Sequence, residues 1–236
     1  MNLTNLIFPR LFLMGLWMAT ASGDAQTPSV QPYVLLSGSK LADSCPICGR
    51  PSIIVPLTGT FGLQLLDQNP LLTRYELTNI LFHTGATSGL PYQVLGGGVY
   101  QVGGEVAVTQ ELFLNAEISN GSTIVNAMCV STNGAVIQPW PKIQVQVNQT
   151  NGTAAQVYNL TLVAVPAPQV RSIRPDLQTG SVLLQWDENG SKFQLERAPN
   201  VAGPYSAVTP ITTNSSFTDM GVLTNSAQFF YRLHPF

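Results

Sequence analysis

Charge is scarce in this chain. Of 236 residues, 10 are Lys or Arg and 12 are Asp or Glu, 9% in all, against roughly 25% in an average soluble domain. Exposed helix faces are built mainly from Lys, Glu and Arg, so the scarcity excludes a fold dominated by surface helices. The basic residues are scattered and the formal net charge is -2. That excludes the clustered Lys and Arg that phosphate backbones require, and no nucleic-acid partner is expected.

Histidine is limited to His83 and His234, and cysteine to Cys45, Cys48 and Cys129. A Ser-His-Asp arrangement needs a carboxylate to orient its histidine. No Asp lies close to His83 in sequence, and no Gly-x-Ser-x-Gly elbow is present. The glycines of residues 96–104 lack the Lys-Ser/Thr of a phosphate loop, and no Asp-x-Asp-x-Asp calcium loop occurs. Glu105, Glu111 and Glu117 share a face, but six extended residues span about 20 Å. Glycoside hydrolysis needs its two carboxyls about 5–10 Å apart, so these read as a solvated face. The chain is expected to be no enzyme and to hold no cofactor.

Long hydrophobic runs are also missing. The one apolar stretch near the start, Leu11 to Ala19, follows Arg10 and precedes Ala19-Thr20-Ala21, a small-x-small cleavage site, with Gly23-Asp24-Ala25 as a second candidate. It is about half the roughly 20 residues that a spanning helix needs, and reads as the core of a secretory signal over residues 1–25. The mature chain is expected outside the cytosol, in a periplasm, at a cell surface or secreted, with no transmembrane segment.

What the sequence does have is alternation. Ile53, Val55, Leu57, Phe61, Leu63 and Leu65 share one parity; Val106, Val108, Leu112, Leu114 and Ile118 share another run, and Ile143, Val145 and Val147 a third. One dry and one wet face per segment is the pattern of antiparallel strands. Turn chemistry falls between them at Asn120-Gly121, Asn133-Gly134 and Asn151-Gly152. The glycines at 96–98 and 103–104 flank Val99–Val102 as bulges or turns, and Asp67–Leu72 is the one place for a turn of helix. Val165-Pro166-Ala167-Pro168 stiffens the chain and forbids ladder hydrogen bonds. The fold class is therefore all-β: an antiparallel sandwich or open barrel over 30–165, a proline-rich linker at 166–168, and a smaller β-domain over 169–236.

The smaller domain carries Ser181 to Trp186 ending in tryptophan, Phe193-Gln194-Leu195-Glu196-Arg197, Phe217-Thr218-Asp219-Met220-Gly221, and Phe230-Tyr231-Arg232-Leu233. In that order these segments resemble the fibronectin type III family. The resemblance implies a β-sandwich acting as spacer or binding module, with Trp186 and Tyr231 in its core. The family continues into a seventh strand where this sequence reaches Phe236, so one sheet is expected to lack a strand. The larger domain is similar to a group of exported bacterial β-rich proteins. The similarity runs through Cys45-Pro46-Ile47-Cys48-Gly49-Arg50-Pro51, Leu57-Thr58-Gly59-Thr60-Phe61, Gly98-Val99-Tyr100, Pro139-Trp140-Pro141-Lys142-Ile143 and Gln149-Thr150-Asn151-Gly152-Thr153. It carries no established activity across.

Cys45 and Cys48 can close a small disulfide in an oxidising compartment. The same spacing suits a zinc knuckle, which needs four ligands; Cys129 and His83 or His234 would have to complete it. Thioredoxin-like redox chemistry wants a helix N-terminus beside the thiols, and here Gly49-Arg50-Pro51 leads into a strand. Free thiols, or a pairing with Cys129, are the fourth state. Trp140 between two prolines, with Tyr92 and Tyr100, is the first choice for a binding surface, because aromatics on rigid loops stack on sugars or protein partners. The leading functional class is a non-catalytic attachment, recognition or envelope-structural protein, with a glycan or another envelope or extracellular protein as partner. The alternative is a metal- or thiol-dependent exported enzyme using Cys45, Cys48 and Cys129.

Overall fold

The computed structural model describes residues 29–85, 91–131, 134–135, 140–187, 192–223 and 228–236. Residues 1–25, expected to be a signal, and Asn133 and Pro139 lie outside them. Every regular element described is a β-strand, as the composition and alternation require.

The larger unit is built from β1 (Gln31–Leu35), β2 (Lys40–Ser44), β3 (Ile53–Gln68), β4 (Leu72–Thr84), β5 (Gln93–Gly103), β6 (Thr109–Ser119), β7 (Ile124–Ser131), β8 (Gly134–Ala135), β9 (Ile143–Gln149) and β10 (Val157–Pro166). All pairings are antiparallel, and successive strands are neighbours from β2 through β7. β9 pairs with both β7 and β10, while β1 and β2 each pair with both β10 and β3. The sheet thus closes on itself. β1 and β2 are two halves of one stave interrupted at 36–39, and β8 continues β7 along β6, so ten strands make eight staves. Closure leaves no long edge exposed. The sequence allowed a sandwich or an open barrel; ring closure was beyond it, because the β1–β10 pairing joins residues more than 120 apart.

Inward residues fill the barrel. Tyr33, Leu41, Phe82, Val94, Ile118, Val147, Tyr158, Leu160 and Ala164 are fully buried, in one continuous cluster. An eight-stave ring is just wide enough for side chains to fill. Outward positions on β6 and β9 carry Glu111, Asn115, Glu117, Gln144, Gln146 and Asn148, the reverse of the alternation a lipid-facing barrel shows. β5 needs its glycines. A Cβ on Gly98 would lie 2.1 Å from the Phe113 carbonyl oxygen, and one on Gly96, at φ 142°, 2.1 Å from that of Asn115. The expected bulge here sits on the partner strand: β4 shifts register between Leu77 and Ile80, with Asn79 at φ 53°. Asp67–Leu72 holds no helix but the tight β3–β4 connection, where the Asn69 carboxamide oxygen accepts the Leu71 and Leu72 amides.

Beyond the prolines lie β11 (Val170–Asp176), β12 (Ser181–Trp186), β13 (Phe193–Ala198), β14 (Ser206–Ala207), β15 (Ser216–Asp219) and β16 (Phe230–Pro235). They form two three-stranded sheets, β11-β12-β15 and β14-β13-β16, around Leu184, Trp186, Phe193, Leu195 and Val222. Arg197 and Tyr231 both donate to the Asp219 carboxylate, which ties the sheets together.

Candidate functional site

The two ends of the barrel are finished differently. At the first, β2 leaves the wall at Ser44, turns through the cysteine motif and re-enters at Ile53. The motif's Arg50 folds back on Asp43, whose side chain is almost fully buried; Arg50 Nη2 donates to Asp43 Oδ1 at 2.8 Å and Nη1 to the Asp43 carbonyl at 3.2 Å. The Tyr92 hydroxyl donates to Asp43 Oδ2 at 2.8 Å, and Gln156 Nε2 reaches the Tyr158 hydroxyl at 2.7 Å. Burial first, then the Asp43 carboxylate, holds the Tyr92 hydroxyl well above its ordinary pKa; Tyr158 is raised by the same causes in the same order. Cys45 and Cys48 are joined in a disulfide with Cα atoms 5.3 Å apart, which closes the loop carrying Arg50. This end is a satisfied polar plug.

At the opposite end the staves finish in aromatic rings. Leu112, Tyr100, Tyr75 and Leu65 stand directly opposite one another across β6, β5, β4 and β3. Trp140 lies over this row, 5.2 Å from Tyr75 at 18° and 6.1 Å from Tyr100 at 17°. Both tyrosines are paired neighbours on one wall, and Trp140 stacks against both. Tyr33 tilts against it at 6.4 Å and donates its hydroxyl to the Pro141 carbonyl at 3.2 Å. The Trp140–Pro141 peptide is cis. Burial raises the Tyr33 and Tyr100 hydroxyls far above their usual pKa. Among the described residues the buried Tyr100 hydroxyl has no hydrogen-bond partner.

Around Trp140, itself 43% exposed, apolar side chains face solvent. Leu65, Leu66 and Leu71 stand on the β3–β4 hairpin, which runs past the end of the ring, and Val108 and the fully exposed Val106 on the β5–β6 connection. The Gly104 amide donates to the Leu71 carbonyl at 2.8 Å and ties the two tips together. Alternation placed Leu65, Val106 and Val108 on dry faces. Leu65 keeps the parity of the buried Leu63 but lies beyond the ring, while Val106 and Val108 stand outside any strand, in the β5–β6 turn, so the expected dry face does not form there. Among the described residues, Leu65, Leu66, Leu71, Val106, Val108 and Trp140 are thus exposed apolar side chains at the aromatic end.

Of the residues singled out in the sequence, Trp140 and Tyr100 come together and Tyr92 does not; it belongs to the polar plug at the other end. The set Cys45, Cys48, Cys129 and His83 is not assembled either. Cys45 and Cys48 are bonded to each other, Cys129 faces the barrel interior on β7, and His83 lies on the outer wall of β4. Burial pushes the Cys129 thiol up to about 11, the direction of an inert core thiol. Among the described residues no three His, Cys, Asp or Glu side chains group as metal ligands, and no helix is long and apolar enough to cross a membrane. Sequence reading missed Tyr33, Tyr75 and the leucine tips; the run Leu65-Leu66, which breaks the alternation, was the available signal.

Fold and site together define an eight-stave antiparallel barrel with an aromatic lid and apolar hairpin tips at one end, joined to a small two-sheet unit. No family model, curated protein or solved structure matches the chain.

Proposed function

We propose that the chain is an exported, non-catalytic recognition or attachment protein that docks on a protein partner through the aromatic end of its barrel. The observation that carries this reading is the cluster of Trp140, Leu65, Leu66, Leu71, Val106 and Val108, all solvent-exposed at one barrel end. Contiguous apolar surface of this kind marks interaction sites on soluble proteins, and rigid aromatics with aliphatic neighbours are typical anchors. A sugar-stacking ring is normally rimmed by hydrogen-bonding groups; polar groups stand at these tips too, at Asp67, Asn69 and Glu105, and it is the exposed Leu and Val side chains among them that favour an apolar protein surface over a glycan. The disulfide and the polar plug supply rigidity at the far end and suit an oxidising compartment. The second unit is read as a fibronectin type III-like spacer; its two-sheet division and the Asp219–Tyr231 contact support that reading, with β16 left as an outer strand.

The test compares wild type with Leu66→Asp and Val106→Asp, both fully folded by melting temperature. Each is presented to a cell-envelope fraction and to a glycan array. One envelope protein retained by wild type and lost by both variants is the expected result. Equal retention by all three removes the tips from the site, and a sugar signal lost in Trp140→Ala alone transfers it to a glycan. Mass analysis of secreted protein lacking residues 1–25 is the expected export result.

A further inference from the structure

The chain contains three lysines, Lys40, Lys142 and Lys192. Two of them line one cleft. It lies where the barrel meets the two-sheet unit, has a volume of about 900 Å³, and takes Lys142 from the barrel and Lys192 from the second unit. Thr213 adds a hydroxyl, and Val165, Ile211 and Phe236 supply apolar wall. Among the described residues no Asp or Glu side chain lines it.

The placement of the two cations is fixed by their backbones. Lys142 stands between Pro141, whose carbonyl holds the Tyr33 hydroxyl, and Ile143, the first residue of β9. The Lys192 carbonyl accepts the Phe236 amide at 2.9 Å, and the adjacent Phe193 exchanges two backbone hydrogen bonds with Thr212. The five ion pairs among the described residues all use arginine, at Arg50, Arg74, Arg171, Arg197 and Arg232. Among the described residues both cleft lysines are thus left outside that pairing, in one concavity. Such a cavity raises the local concentration of anions, and its volume lies in the range of small-molecule sites.

We propose that this cleft binds a small amphiphilic carboxylate, its anionic head between Lys142 and Lys192 and its apolar body against Val165, Ile211 and Phe236. The ligand bridges the two units, because each contributes one lysine. Both charges matter to the head group, since ammonium–carboxylate hydrogen bonds are stronger than neutral ones. The apolar wall matters because a head group alone binds weakly in an open, wet cleft.

Calorimetric titration of the whole chain with decanoate tests the site, with decanol and acetate as the neutral and tailless probes. Decanoate is expected to bind once per chain, with Lys142→Gln and Lys192→Gln each weakening it roughly tenfold and Lys192→Arg retaining it. Acetate and decanol are each expected to bind at least about tenfold more weakly. Both lysines are at the surface, so the variants keep the wild-type melting temperature. Equal binding of decanol and decanoate, or unchanged binding in the Lys142→Gln, Lys192→Gln double variant, overturns the proposal. So does a flat decanoate titration. Leu66→Asp leaves this titration unchanged, which separates its outcome from that of the barrel end.

Discussion

The two ends of one barrel solve the same problem in opposite ways. A ring of eight staves must be stopped at both mouths, or water enters the core. At the cysteine end, chemistry that could be costly when buried is fully paired: Asp43 receives Arg50 and Tyr92, and Gln156 caps Tyr158. At the other end, Trp140 simply lies over Tyr75 and Tyr100, and the hairpins beyond it leave leucine and valine in water. Buried polar networks specify structure when every member is satisfied. Exposed apolar surface stabilises nothing in the isolated protein and implies something to cover it. Under the proposed function, one end is structural and the other is the recognition end.

The broadest way to break that contrast is alkali, which should act on both ends. Tyr33 and Tyr100 at the aromatic end and Tyr92 at the polar end are all held above the unfolded tyrosine value near 10, first by burial. A raised folded pKa means that the native state keeps protons the unfolded state has lost. The stability they contribute is full below about pH 10 and falls as pH rises beyond it. In the second unit Tyr231 is pushed up to about 12, by burial first and then by Asp219. Urea midpoints measured toward pH 11 should therefore fall more steeply for the barrel than for the two-sheet unit. A barrel midpoint independent of pH in that range contradicts the buried tyrosine arrangement.

Next in size is Asp43→Ala. It leaves Arg50 and the Tyr92 hydroxyl aimed at an empty site, and loss of one member of a buried charged pair costs about 3–5 kcal/mol. Chemical denaturation should show this loss while any partner binding at the aromatic end survives in the folded fraction. Loss of binding without loss of stability would reverse the assignment of the two ends.

The finest comparison removes one hydroxyl from each end. Tyr92→Phe strips a hydrogen bond from a buried carboxylate and should cost about 1.5–3 kcal/mol. Tyr100→Phe removes a buried hydroxyl that has no partner, and should be neutral within about 0.5 kcal/mol or slightly stabilising. Equal costs would mean that the aromatic end holds its own polar network.

Much of the architecture is legible without coordinates. Strand positions follow from alternation, and the Asn120 and Asn151 turns do close hairpins, Asn120 accepting the Ser122 and Thr123 amides. The last barrel strand ends at Pro166 and the next strand begins at Val170, where the prolines suggested a break. The cysteine pair closes, one of the four states that its spacing left open. The site was only half legible. Trp140 and Tyr100 were visible as aromatics, but Tyr75 looked like one strand residue among many, and Tyr92 could not be assigned to an end.

Local chemistry accounts for that division. Period-two patterning, turn residues and a three-residue cysteine spacing act between near neighbours, so the sequence alone determined an all-β chain and left a closed Cys45–Cys48 loop as one of several open states. Which residues share a mouth depends on ring closure and on where each stave stops, both set by pairings such as β1 with β10 that span most of the barrel. Only the tertiary structure could bring Asp43 to Tyr92, lay Trp140 across Tyr75, and set Lys142 and Lys192 in one cleft, because backbone pairing across the ring fixes those distances and no local pattern encodes them.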